Sequence, residues 1–140
     1  MEKEKILKLT NKSKDFYQYM GKFFGSRVVQ NIINDRIYDD TGKTWYLYLT
    51  NEKVVAFVSM VGGVIKNIYA VKDEYLIKLL ENLKNEVMIE PSIVPVIYEE
   101  IYTKCGFTIT SRGLKNFITI SIENNELINQ DKLEVEGSMV

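Results

Sequence analysis

The chain has 140 residues, 46% hydrophobic and 26% charged, with 18 basic against 19 acidic side chains. One cysteine (Cys105) and no histidine exclude a disulfide framework, a paired-cysteine zinc site, histidine-ligated metals and Ser-His or Cys-His nucleophile pairs. A net charge of −1 gives no basic footprint for nucleic acid or an anionic membrane.

A chain of this size buries enough apolar surface to fold as one domain unaided by metal. Its longest apolar stretch, 54–65, is broken by Ser59, Gly62 and Gly63 and falls short of the roughly 20 residues a membrane span needs. The start, Met1 to Lys5, mixes both charges and leads into no apolar signal core. These features predict a cytoplasmic protein without nucleic-acid or membrane partners.

In chain order, Lys5 to Thr10 forms a first short element, with Ile6 to Leu9 too brief for periodicity to assign. Ser13 is placed to cap a helix from about Lys14. Phe16, Tyr17, Met20, Phe23 and Phe24 recur at helical spacing, and Val28, Val29, Ile32 and Ile33 repeat the pattern beyond a break near Gly25. Asp39 to Lys43 is a turn. Thr44–Thr50 and Val54–Val61 read as a hairpin around Asn51-Glu52-Lys53, with Gly62-Gly63 turning into a further strand to Val71. Tyr46 and Tyr48 alternate away from Trp45, Leu47 and Leu49, which leaves them as candidates for an exposed face.

Asp73 is a candidate cap for a helix carrying Leu76, Ile77, Leu79, Leu80 and Leu83. Val87-Met88-Ile89 reads as a buried strand, followed by a loop between Pro91 and Pro95. Pro95 suits the first turn of a helix that carries Val96, Ile97, Ile101 and Tyr102 and stops at Gly106. Phe107–Ser111 and Asn116–Ile122 close as a hairpin. The single domain is expected over 1–122, with a polar tail, 123–140, anchored only by Ile128, Leu133 and Val135. The order β-α-α-β-β-β-α-β-α-β-β implies an α/β fold with a mixed sheet and helices on both faces.

That order resembles the GNAT N-acetyltransferase fold, and particular residues carry the resemblance. Tyr102-Thr103-Lys104-Cys105-Gly106-Phe107 is similar to the family's Tyr-x-x-x-Gly-Phe at the end of its fourth helix, the hairpin over 44–61 to its second and third strands, and Ile68–Val71 to the end of its fourth. The resemblance implies acetyl-CoA as co-substrate and an amine as acceptor. It implies that the pantetheine arm lies on the backbone of Ile68, Tyr69, Ala70 and Val71, between the strands 65–71 and 87–89. It implies that the diphosphate meets amides of Asp73, Glu74 and Tyr75, and that Tyr102 is the acid protonating the leaving thiolate. A phenol with pKa of about 10 is protonated at neutral pH, as that role requires.

The sequence also departs from the family. The glycine-rich phosphate signature after the fourth strand is replaced by Lys72-Asp73-Glu74-Tyr75-Leu76-Ile77-Lys78, and Pro95 stands where the family has an asparagine. Without glycine the backbone approaches a diphosphate less closely, and two carboxylates at a helix N-terminus compete with phosphate for the same field. No general base stands out. Lys66, Asn67 and Tyr69 fill the fourth strand, and Glu90 is the nearest carboxylate. Cys105 reads as a small buried residue. The aromatics from Phe16 to Phe24, with Tyr38, Trp45, Tyr46 and Tyr48, are candidates to line the acceptor side.

Two functional readings follow. One is an acetyl-CoA-dependent N-acetyltransferase with Tyr102 as the acid. The other is a GNAT-fold module that lost its cofactor site and acts through protein contacts, a second copy of the chain being one such partner. A wholly different α/β binding domain is the third alternative.

Overall fold

The computed structural model describes residues 3–37 and 42–123. The expected turn at 39–41, Tyr38, and the tail with Ile128, Leu133 and Val135 lie outside the described residues.

The chain opens with β1 (Glu4–Leu9), α1 (Phe16–Phe24) and α2 (Arg27–Ile33). It continues with β2 (Thr44–Thr50), β3 (Lys53–Val61), β4 (Val64–Ala70) and α3 (Asp73–Glu86). β5 (Ser92–Pro95), a 3-10 turn (Val96–Tyr98), α4 (Glu99–Lys104), β6 (Thr108–Ser111) and β7 (Phe117–Ser121) complete it. The order of elements is the one expected from the sequence.

The strands form two sheets. β1-β2-β3-β4 is an antiparallel meander, and β5-β7-β6 is a smaller antiparallel sheet. Helices cover both faces of the larger sheet. Trp45 packs at 5.8 Å from Phe16 and 5.5 Å from Phe24 on the α1 side. Tyr48 stacks at 5.6 Å from Tyr75 of α3 on the other. This double cover explains why Tyr46 and Tyr48 are buried, against the expectation that their alternation places them on an exposed face.

Local chemistry sets the helix ends differently from the sequence reading at two places. Ser13 does not cap α1: its Oγ accepts from the Thr10 N–H, and α1 begins at Phe16. Asp73 is the first residue of α3, not its cap, and Lys72 at the cap position provides no side-chain bond. α2 does carry a side-chain cap, Ser26 accepting from the Val29 N–H.

The largest correction concerns the fifth strand. Val87-Met88-Ile89 is not a strand. Val87 ends α3, Ile89 is buried outside any strand, and the Glu90 N–H donates to the Gly63 carbonyl at 2.8 Å. The strand is Ser92–Pro95, inside the segment expected to be a loop, because that stretch finds a register on β7 (Ser92 opposite Ile120, Pro95 opposite Phe117). Pro95 is tolerated at the strand's last position, where its missing N–H costs no ladder bond. Among the described residues no helix is long and apolar enough to cross a membrane.

Candidate active site: the seam between the two sheets

β4 and β5 lie side by side but share no ladder. The Ile65 N–H donates to Ser92 Oγ at 2.9 Å, and further along the Ala70 N–H donates to Tyr98 Oη at 3.1 Å. The two contacts advance together along both segments, so the strands run in the same direction. Side-chain hydroxyls therefore stand where parallel neighbours would exchange backbone bonds. Ser92 passes its own proton to the Glu90 carbonyl (2.8 Å), and Tyr98 Oη also reaches the Ala70 carbonyl at 3.3 Å. Both backbone groups of Ala70 thus face the seam. By strand alternation so do those of Ile68.

Tyr98 and Tyr102 are four residues apart on successive helical turns, so both rings point the same way, with centroids 6.5 Å apart and edge to face. Tyr102 is fully buried and its Oη donates to the Pro95 carbonyl at 2.8 Å. Its position is fixed by the end of α4. The Gly106 N–H donates to the Thr103 carbonyl and the Phe107 N–H to the Tyr102 carbonyl, the paired bonds of a Schellman motif. Gly106 takes φ +91°, and Phe107 returns its ring to within 6.5 Å of Tyr102. The Tyr-x-x-x-Gly-Phe string is thus one device: tyrosine, helix-ending glycine and the aromatic that closes over it.

Burial pushes the Tyr102 phenol far above its ordinary value, the neighbouring Tyr98 adding to the shift. Burial likewise pushes Tyr98 up to about 12. Both are held as proton carriers across the physiological range. Burial, with Glu81 close by, pushes the Cys105 thiol up to about 11, which removes it as a nucleophile at neutral pH.

The residues expected to hold a cofactor are divided around this seam. Ile68 is fully buried, and Tyr69 packs its ring 5.6 Å from Phe57. Val71 is exposed and its N–H is taken by the Val55 carbonyl. Asp73 and Glu74 are exposed at the start of α3, whereas Tyr75 is buried against Tyr48. The α3 N-terminus borders a cavity of about 290 Å³ lined by Asp73, Val96–Ile101 and hence by Glu99 and Glu100. Arg112 clamps Glu99 with two bonds, 2.6 and 3.0 Å, and this guanidinium holds the Glu99 carboxyl below its usual range. The cavity's lining is acidic, and Lys72 stands beside it at the α3 cap.

The aromatics proposed for an acceptor wall divide in the same way. Phe16, Phe23 and Trp45 belong to the core, and Tyr17 alone among the large hydrophobics of α1 is mostly exposed. Asn67, at the place on β4 where a base was sought, accepts from Ser59 Oγ (2.7 Å) and from Lys43 Nζ (2.9 Å) and donates to the Arg36 carbonyl. It is a buried structural junction. Glu90 is exposed beside the seam's near end. Among the described residues no group of three acidic or cysteine side chains is placed to hold a metal.

Sequence reasoning missed Tyr98 and Ser92, the two hydroxyls that bridge the seam. The i, i+4 spacing from Tyr102 is the signal that could have found Tyr98.

The order of elements matches that of the GNAT acetyltransferases, and the chain has that fold. No family model matches the chain and no curated protein matches it in sequence. Solved structures do resemble it. Escherichia coli ElaA superposes with a TM-score of 0.56 at 16% identity, covering 85% of this chain and 99% of that one. The Campylobacter jejuni N-acetyltransferase PseH in complex with acetyl coenzyme A gives 0.52 at 14%, covering 84% and 96%. A probable acetyltransferase from Staphylococcus epidermidis gives 0.55 at 10%, covering 84% and 96%. Identities this low speak to the fold alone.

Proposed function

We propose that this chain is an N-acetyltransferase that takes its acyl group from acetyl-CoA and passes it to an amine. The observation that carries the reading is the seam: Ala70 turns both its backbone groups into it, and among the described residues only the Tyr98 hydroxyl engages them. An amide of a pantetheine arm is a donor and acceptor of the same kind. Rotation of Tyr98 would free the Ala70 pair to bind it, with Ile68 contributing on the same edge. Amides at Asp73 and Glu74 would meet the diphosphate, with Lys72 offsetting the local carboxylates, while Lys78 is held by Glu4 of β1 at 3.2 Å.

Tyr102 is the acid in this reading. The amine nitrogen bonds to the acetyl carbon, the C–S bond breaks, and the sulfur takes the phenolic proton. The nitrogen's surplus proton leaves to water, and Tyr102 is reprotonated from solvent. The burial that keeps this phenol protonated also makes it a weaker acid, so the role requires its proton to leave the Pro95 carbonyl for the sulfur.

The test is a thermal melt and calorimetric titration with acetyl-CoA and with CoA. A ligand at 100 times its dissociation constant raises stability by about 2.7 kcal/mol, several degrees for a domain of this size. Turnover by Tyr102→Phe should fall by about 10²-fold or more; unchanged turnover removes its role as acid.

Two observations favour the second reading, a module without catalysis. Asp73, Glu99 and Glu100 line the cavity beside α3, and Tyr98 occupies the Ala70 groups. No binding of CoA at millimolar concentration would favour that reading and direct attention to protein partners and self-association.

A further inference from the structure

On the α2 side of the seam, the starts of β4 and β5 and the β6–β7 turn enclose a groove of about 480 Å³. Its walls are apolar: Val64, Ile93, Leu114 and Phe117. Ile93 and Leu114 are each 53% exposed, so their side chains cover no core and face the groove's opening. Two charges border it, the Asp35 carboxylate and the Lys66 ammonium. Among the described residues no ion pair joins them. Asp35 lies just beyond α2, with Oδ1 accepting from the Arg36 N–H at 2.8 Å. Lys66 is the one exposed residue of β4.

An apolar wall with one anion and one cation at its rim is complementary to a small molecule carrying a cation, an anion and an apolar body. We propose that this groove is the acceptor subsite and that the acceptor is a free α-amino acid with a branched or aromatic side chain. Its ammonium would meet Asp35, its carboxylate Lys66, and its side chain the surface of Ile93, Leu114 and Phe117. The volume falls within the range of small-molecule sites. The groove also abuts the reaction centre. Ile93 lines it, and two residues along the same strand the Pro95 carbonyl accepts from Tyr102, a separation of roughly 7 Å at strand rise.

A further observation supports the assignment of Asp35. Burial raises its carboxyl above the ordinary value, the Arg36 N–H and the Lys43 charge pulling it back only in part. A partly desolvated carboxylate gains from an added ammonium. The assignment names the acceptor class of the acetyltransferase reading and so rests on it for the chemistry, though binding alone tests the groove.

The experiment is calorimetric titration of the full chain, with and without CoA, using four probes. L-leucine carries all three features. Isoamylamine lacks the carboxylate, 4-methylvalerate lacks the amine, and glycine lacks the side chain. Leucine should bind, and each of the others about tenfold more weakly or worse. Asp35→Asn and Lys66→Gln should each weaken leucine by about tenfold while acetyl-CoA titrates as before. Equal heats from all four probes, no leucine heat, or wild-type affinity in both variants overturns the groove assignment. Acetyl-CoA binding without leucine binding overturns it and leaves the acetyltransferase reading intact. Leucine binding that depends on Asp35 and Lys66 without acetyl-CoA binding upholds the groove and overturns that reading.

Discussion

Tyr98 bonds both backbone groups of one residue, Ala70, and is almost entirely removed from water. Its removal has two opposite effects. Tyr98→Phe keeps the ring and its packing on Tyr102 but strands the Ala70 N–H, a cost of about 1–3 kcal/mol. The same change leaves those groups unclaimed for an incoming amide. Urea melts should therefore show a less stable protein, and calorimetry should show acetyl-CoA affinity equal to wild type or higher. A variant that loses affinity would mean Tyr98 itself holds the ligand. Tyr102, with its glycine and phenylalanine, was legible in the sequence because its spacing is dictated by local backbone geometry. Tyr98 was not, because its role depends on a strand that is distant in sequence. Asp35 and Lys66 were hidden for the same reason: single charges acquire meaning only when the fold places them on one groove.

At the scale of elements, the end of α4 determines where Tyr102 sits. Gly106 has φ +91°, and a side chain there would meet only the end of Lys84 and Ile122 at ordinary distances. Space is not the constraint; backbone conformation is. Gly106→Ala should cost about 1–2 kcal/mol, read as a lowered Tm, with the fold kept by circular dichroism. The order of elements could be read almost entirely from apolar spacing and turn residues. The fifth strand could not. Val87, Met88 and Ile89 are more apolar than Ser92 to Pro95, and apolarity was the only signal to weigh. Strand identity there was decided by register against β7, a partner more than 20 residues further on. Lys72 at the start of α3 shows the same limit on a smaller scale: Asp73 has cap chemistry, but the helix starts one residue too early for it to act.

For the whole molecule, buried protons set a limit at high pH. Tyr98, pushed up to about 12, Cys105, up to about 11, and Tyr102 further up all titrate above their unfolded values, roughly 10 for tyrosine and 8.5 for cysteine. The folded state keeps these protons after the unfolded chain has released them. Their contribution is complete below the unfolded values and is lost as pH rises through the folded ones. Urea midpoints should hold steady to about pH 8.5 and fall progressively toward pH 12. Tyr98→Phe should shallow that fall, and an unchanged slope would show that its hydroxyl ionises as freely folded as unfolded. The double-covered sheet was implied by the order of elements, but its division into two was not, since hydrophobic patterning does not distinguish paired neighbours from unpaired ones. That division also bears on how the chain assembles. β2, β3 and β4 are joined by tight turns, so their meander closes only short loops. The smaller sheet must bring β5 to β7 around α4 and β6, a longer closure with a larger entropic cost. Loop closure alone predicts that the meander pairs first, and that the hydroxyls of Ser92 and Tyr98 then join two halves that each complete their own backbone pairing.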